Sequence, residues 1–278
     1  MERSMERTLR QTWAFMFRGY HLTRRYISWV IVFNFYALTT SATVALIGVA
    51  AGDYQLTLTL VVGALQWNFL SVLYSEIAMS IGYERWEGTL EYTFMAPVSR
   101  LVHLAGLSLY SLCNSIVQTV IVLLGLMLFT KINFAGANLF GVGVVLLVST
   151  MAFVGLGLMA AALPVMSPER GSEATHIFQG LLLLVSGVYY PVEVLPHWIQ
   201  PLSWLSPATY SLSACRKLVG VGNPASTSEH LAGAGLSAVT FELMMLTLMG
   251  VLLIPLGLWV FGRVELWAKH TGKLKRTG

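Results

Sequence analysis

Tyr83-Glu-Arg-Trp-Glu-Gly-Thr-Leu-Glu-Tyr-Thr-Phe-Met-Ala-Pro-Val-Ser-Arg100 is a short polar stretch between two long apolar ones. Its carboxylates, Glu84, Glu87 and Glu91, stand three, four and seven residues apart. At about 3.6 residues per turn that spacing puts all three on one helix face. Trp86, Leu90 and Phe94 recur at four-residue steps on the other side. The pattern predicts an amphipathic helix that either lies flat at a membrane surface or docks into a partner.

The flanking sequence decides the fold class. The chain has 278 residues, 56% hydrophobic and 11% charged, with a mean hydropathy of +0.69. Soluble domains carry about 25% charged residues. No Asp, Glu, Lys or Arg occurs in 26–52, 54–75, 101–130, 132–168, 174–192 or 243–262, gaps of 27, 22, 30, 37, 19 and 20 residues. A spanning helix needs about 20 apolar residues, so each gap holds one span. Six spans are expected, at about 27–51, 56–82, 101–129, 138–163, 174–190 and 236–262. The fold class is an all-α integral membrane protein.

Six spans put both termini on one side, together with 83–100 and 164–175. That side carries 14 of the 17 Lys and Arg residues, leaving Lys131, Arg216 and Lys217 opposite. The positive-inside rule makes the richer side cytoplasmic, in the plasma (inner) membrane. The net charge of +4 then reflects topology and lipid headgroups, as for the basic tail over 263–278, and not nucleic acid. The stretch before residue 26 has no apolar run of about 7–15 residues, so no cleaved signal is expected there. It can instead form an interfacial helix over 1–26, with Leu9, Trp13, Met16, Phe17 and Tyr20 on one face, or a soluble docking helix. Cys113 and Cys215 are expected at different depths as buried free thiols.

Within the spans, Gly157 and Ala161 permit close helix approach without naming the partner. Pro164 and Pro168 are expected to break the chain into a second cytoplasmic loop. Glu76, near the inner end of its span, serves either function or structural pairing. Glu242 lies near an outer end. Between the last two spans, four of nine prolines fall within 191–207. Each costs a helix interior about 3 kcal/mol, so one straight span is excluded and short helices dipping into the outer leaflet are expected. Trp198, Trp204 and Tyr210 suit the membrane interface. There is no G-x-x-x-x-G-K-[ST] loop, no H-E-x-x-H and no G-x-S-x-G. The chain is therefore read as neither an ATPase nor another enzyme.

Two stretches carry a resemblance. Glu84-x-x-Glu-Gly-Thr-Leu-Glu91, followed by Ala-Pro-Val-Ser-Arg100, resembles the first cytoplasmic loop of type-2 ABC exporter permeases. That class includes daunorubicin-type drug exporters and polysaccharide exporters. Ser186-Gly-x-x-Tyr-Pro-x-Glu-x-Leu-Pro-x-Trp-x-x-Pro-Leu-Ser-Trp-Leu-Ser-Pro-Ala-Thr-Tyr210 resembles its segment after the fifth span. The resemblance implies a half-transporter working with a second permease subunit, homo- or heterodimeric, and with separate ATPase subunits. Those subunits would hold ATP and Mg, with no cofactor in this chain. It implies a coupling helix at 83–97, with Glu84, Arg85, Glu87, Gly88, Thr89, Leu90 and Glu91 meeting the ATPase and Pro97 and Arg100 closing the segment. It implies an outer lid of re-entrant helices over 191–217, with Pro191, Glu193, Pro196, Trp198, Pro201, Trp204 and Pro207. The body would span 27–262. Phe69, Tyr74, Glu76, Phe153, Phe178, Tyr189 and Tyr190 are candidates for a translocation path, and the apolar spans favour a hydrophobic or amphipathic cargo. The alternative reading is an ion-coupled secondary transporter, which needs a carboxylate near the bilayer midplane.

Overall fold

The computed structural model describes residues 2–96, 98–130, 132, 134–167, 170–226 and 231–271, with side chains at all of these except 2–5, 90 and 91. Pro97, Pro168, Lys131 and the Lys273–Arg276 tail lie outside the described residues. Among the described residues the chain is helical, without strands. Its α-helices are α1 (Glu2–Arg25), α2 (Ile27–Ala50), α3 (Tyr54–Trp86), α4 (Leu90–Met95), α5 (Arg100–Thr130), α6 (Leu139–Met166), α7 (Gly171–Val185), α8 (Gln200–Trp204), α9 (Pro207–Val219) and α10 (Thr240–His270).

Local chemistry sets several boundaries. Asp53 caps α3 by accepting from Gln55 N at 2.8 Å and Leu56 N at 3.1 Å. Asn138 does the same for α6 through Gly141 N at 2.9 Å. Pro164 does not break α6, which runs on to Met166. Arg85 instead donates to the Pro164 and Val165 carbonyls, at 2.9 and 3.0 Å, satisfying the end of the helix.

Among the described residues five helices are long and apolar enough to cross a membrane: α2, α3, α5, α6 and the stretch Leu236–His270. The span expected at 174–190 is α7, only 15 residues. That is about 22 Å of helix, against a hydrocarbon core of about 30 Å. The chain turns at Gly187, whose φ of +66° suits a residue without Cβ. Five of the six expected spans are thus met by helices that suffice by themselves, and the one expected at 174–190 is not met by a single long helix.

The helix ends sort into two groups. One gathers the C-terminal ends of α3, α6 and α10 with the N-terminal ends of α5 and α7, and α1 packs there. Phe15 meets His103 at 4.6 Å between ring centres, and Thr23 bonds Tyr110. The other gathers the N-terminal ends of α3, α6 and α10 with the C-terminal end of α9, through Gln55 to Asn223 O at 3.2 Å and Asn138 N to Leu218 O at 3.0 Å. α3 is the centre: 67% of its apolar window is buried, against 17% for α2, α5 and α10. The small residues of α6 now have partners. Gly155 lies against Leu253 and Gly257 of α10, and Gly157 against Ile77 of α3.

Candidate coupling site

The expectation of one helix over 83–97 is corrected. α3 stops at Trp86, and α4 restarts at Leu90. Gly88 adopts φ +72°, its N–H bonds Arg85 O at 3.1 Å, and Thr89 N bonds Glu84 O at 2.8 Å. These two crossed bonds form a Schellman cap, which favours glycine at its left-handed position. Glu84, buried, and Glu87, exposed, therefore share no exposed face. The backbone of Leu90 and Glu91 belongs to α4; Glu87 is exposed.

Glu84 turns inward and is 2% exposed. Its Oε1 accepts from Arg18 of α1 and stands 3.3 Å from His103 Nε2 of α5. Arg18 also donates to Thr89 Oγ1 at 3.2 Å. Arg85 is buried on the end of α6. Arg100 clamps α4, donating to Thr93 O at 3.1 Å and Phe94 O at 2.6 Å, while its Nε reaches Glu265 of α10 at 3.0 Å. Lys269 shares Glu265 at 2.6 Å. Phe94 fills the space beneath, edge-on to Phe261. The segment over 84–100 is thus fastened to α1, α3, α5, α6 and α10 through buried polar groups.

Among the described side chains it presents Trp86, Glu87, Tyr92 at 78% exposure, Met95 at 77% and Ser99 outward. Sequence reasoning missed Tyr92 and Met95, because the assumed continuous helix assigned faces by the wrong phase. It also missed Arg18, His103 and Glu265, which lie far away in sequence. Glycine at 88 was the available signal.

The proline-rich segment follows its chemistry. Pro191 precedes a 3₁₀ turn, Val192–Val194, which contains Glu193; Pro201 lies in the first turn of α8, and Pro207 is the first residue of α9. Each proline of these three occupies a place where no intrahelical N–H is needed. Pro196 accepts from Ile199 N at 2.8 Å. Trp198 and Trp204 are exposed, and Pro207 is buried. Ser186 and Ser206 bond at 2.7 Å, and Arg216 donates to Val188 O at 2.8 Å. Gln66 of α3 bonds Ser211, and Gly63 lies against Val188 O. Gly63 is nine residues below Tyr54, about 13 Å along α3, so this segment reaches well into the bundle.

The candidate path residues do not form one group: three share a buried core and the other four lie outside it. Phe69, Tyr74 and Phe153 lie in the buried core. Phe178 is exposed on α7, Tyr189 is half-buried, and Tyr190 bonds Leu184 O. Glu76 is half-buried and accepts from Asn114 at 3.0 Å. Glu242 pairs with Lys217 at 2.6 Å, with Ser213 at 3.1 Å beside it. Cys215 is buried against Gln66, whereas Cys113, expected to be buried, is exposed.

Residues 4–219 match the family model described as ABC-2 type transporter. The chain is 29% identical over 135 residues to the "Probable multidrug ABC transporter permease YbhR" of Escherichia coli (strain K12), covering 47% of this chain and 35% of that protein. It is 30% identical over 104 residues to the "Linearmycin resistance permease protein LnrN" of Bacillus subtilis (strain 168), covering 35% of this chain and 26% of that protein. The chain thus spans about a third of the length of the first relative and about a quarter of the second.

Proposed function

The chain belongs to the ABC-2 type transporter family, and from that premise we propose that it is the membrane permease subunit of an ATP-driven exporter. A separate ATPase subunit, carrying ATP and Mg, docks on the surface of Trp86, Glu87, Tyr92 and Met95. A second permease subunit completes the path. The cargo is hydrophobic or amphipathic: a drug, lipid or glycolipid. The multidrug and resistance names of the relatives, and the apolar helix surfaces, support that class.

The observation that carries this reading is the anchoring of 84–100. An exposed knob of a few residues is tied to the ends of four long helices and to α1. Force applied there reaches the spans without passing through a loose loop. The sixth crossing is made in two pieces, α7 from the cytoplasmic end and α9 onward to the outer end. The segment over 187–206 is then a re-entrant lid. Both termini are cytoplasmic in the plasma membrane, following the 14 basic residues on that side.

Capture of the partner tests the reading. The tagged chain should retain an ABC-type ATPase from native membranes. Glu87→Arg combined with Tyr92→Ala and Met95→Ala should lose it while the chain still reaches the membrane. Thr43→Ala, on an exposed site of α2, serves as control. Undiminished ATPase capture by the correctly inserted triple variant would overturn the assignment of that surface. Transport driven by an ion gradient with no ATPase present would favour the secondary-transporter alternative.

A further inference from the structure

The five long helices contain four carboxylates: Glu76 and Glu84 in α3, Glu242 and Glu265 in α10. Three are paired with basic side chains of this chain: Glu84 with Arg18 and His103, Glu242 with Lys217, and Glu265 with Arg100 and Lys269. Among the described residues Glu76 has no cation. Its Oε1 accepts one hydrogen bond, from the neutral amide of Asn114 on α5. The nearby arginines are spent elsewhere, Arg18 on Glu84 and Arg85 on the carbonyls at the end of α6.

Glu76 lies ten residues before the end of α3, about 15 Å along the helix. It is flanked by apolar sequence on both sides. A carboxylate at span depth is costly without a counter-charge. This chain supplies that charge at the other three carboxylates and withholds it here. The surroundings suit a visiting cation. Tyr83 lies two turns beyond Glu76 on the same side of α3, and Tyr110 one turn before Asn114 on α5. The Tyr110 hydroxyl is engaged by Thr23 and one side of its ring lies against Gly19 of α1, so the rest of the ring is what remains for a ligand. Glu76, Asn114 and Tyr110 are half-buried and Tyr83 is exposed, so the face is open in the single chain. Beyond it, α5 offers exposed apolar surface at Ile116 and Val117.

We infer that Glu76, Asn114 and the rings of Tyr83 and Tyr110 form a binding site for an amphipathic organic cation taken from the cytoplasmic leaflet. The positive head pairs with the carboxylate and lies against the tyrosine faces, while the apolar body follows α5. An anionic ligand of the same size meets an uncompensated carboxylate and is rejected. The inference rests on the exporter reading for its meaning as a cargo site, but the binding event needs no ATPase.

The test uses the purified chain in nanodiscs, with empty nanodiscs subtracted. The probes are tetraphenylphosphonium and tetraphenylborate, ions of similar shape and opposite charge. Glu76→Gln is expected to weaken tetraphenylphosphonium binding about tenfold or more and to leave tetraphenylborate binding undiminished. Asn114→Lys places a resident cation beside Glu76 and should abolish tetraphenylphosphonium binding while forming an ion pair that favours folding. Cys113, exposed beside Asn114, gives a second readout: tetraphenylphosphonium should slow its reaction with a neutral maleimide in the wild type and not in Glu76→Gln. Equal tetraphenylphosphonium affinity in the wild type and both variants would overturn the inference. That result would leave ATPase capture by the 86–95 surface untouched, and failed capture would leave this site standing.

Discussion

Replacing Arg100 by Ala should release α4 from the bundle while the bundle stays folded. The guanidinium holds Thr93 O at 3.1 Å and Phe94 O at 2.6 Å, and it lies 4.3 Å from the centre of the Phe94 ring. A hydrogen bond from a charged donor contributes about 1.5–3 kcal/mol. The ring contact adds about 0.5–1 kcal/mol. The pair with Glu265 adds little, ~0–1 kcal/mol, because Arg100 is a quarter exposed and Glu265 keeps Lys269 at 2.6 Å. These contacts share one side chain and water replaces part of them, so the expected loss is about 3 kcal/mol and not their sum. At about 1.4 kcal/mol per tenfold, local opening becomes roughly 100 times more frequent. A helix of six residues cannot stand alone, so opening means melting.

Hydrogen exchange in nanodiscs reads this directly. The amides of Thr93 and Ala96 bond Thr89 O and Tyr92 O, both at 3.0 Å. In the Arg100→Ala protein they should exchange about two orders of magnitude faster, while Leu70 and Leu73 in the core of α3 keep their protection. Arg100→Lys keeps the charge near Glu265 but lacks the fork that spans both carbonyls, so it should fall between. Unchanged exchange at Thr93 and Ala96 in a correctly inserted Arg100→Ala protein would refute the reasoning. It would show that burial of Phe94 alone docks α4.

A Cβ at Gly257 would stand 2.5 Å from Gly155 O, so Gly257→Ala should cost about 1–3 kcal/mol and lower the thermal midpoint, with the backbone of α6 as the obstacle. Gly143→Ala meets nothing within 4 Å and should be neutral or stabilise by up to ~1 kcal/mol in the same melt. A maleimide applied between pH 7 and 9, followed by peptide mass spectrometry, should mark Cys113 and spare Cys215. Cys215 is buried and sterically covered, whereas Cys113 is exposed.

The long helices were legible because charge-free length is a direct measure of what a bilayer accepts. The same measure misled at α7. The gap over 174–192 counts residues after Ser186 that no longer belong to a helix, and a gap cannot report where Gly187 turns the chain. At 83–100, periodicity pointed to one helix, while Gly88-Thr89 carried the signal of its end. The periodic carboxylates outweighed one glycine, and the faces were assigned wrongly. Burial of Glu84 was beyond local reading, since Arg18 is 66 residues away. Phe69, Tyr74 and Phe153 show the limit of residue type: an aromatic ring fits a core as well as a path, and only packing separates the two.

The neighbours of α3 explain why one helix governs both polar segments. Between spans in lipid, apolar faces discriminate poorly among partners, so polar contacts and small residues set register. α3 gives five neighbouring helices a polar contact each. Gln66 meets Ser211 of α9, Asn68 meets Thr119 of α5 at 3.2 Å, Ser75 meets Gln179 of α7 at 3.1 Å, Glu84 meets α1, and Arg85 meets α6. Rotating α3 by one residue, about 100°, would break all of them at once. Its 33 residues contain no proline, so no proline kink interrupts the helix between Gly63, against Val188 O, and its end at Trp86. With a partner docked at 86–95 as proposed, a small displacement there would be delivered to Val188 and Ser211 as a movement of the whole helix. That is the mechanical property which the exporter reading requires, and it follows from polar side chains that composition alone would count as defects in a membrane span.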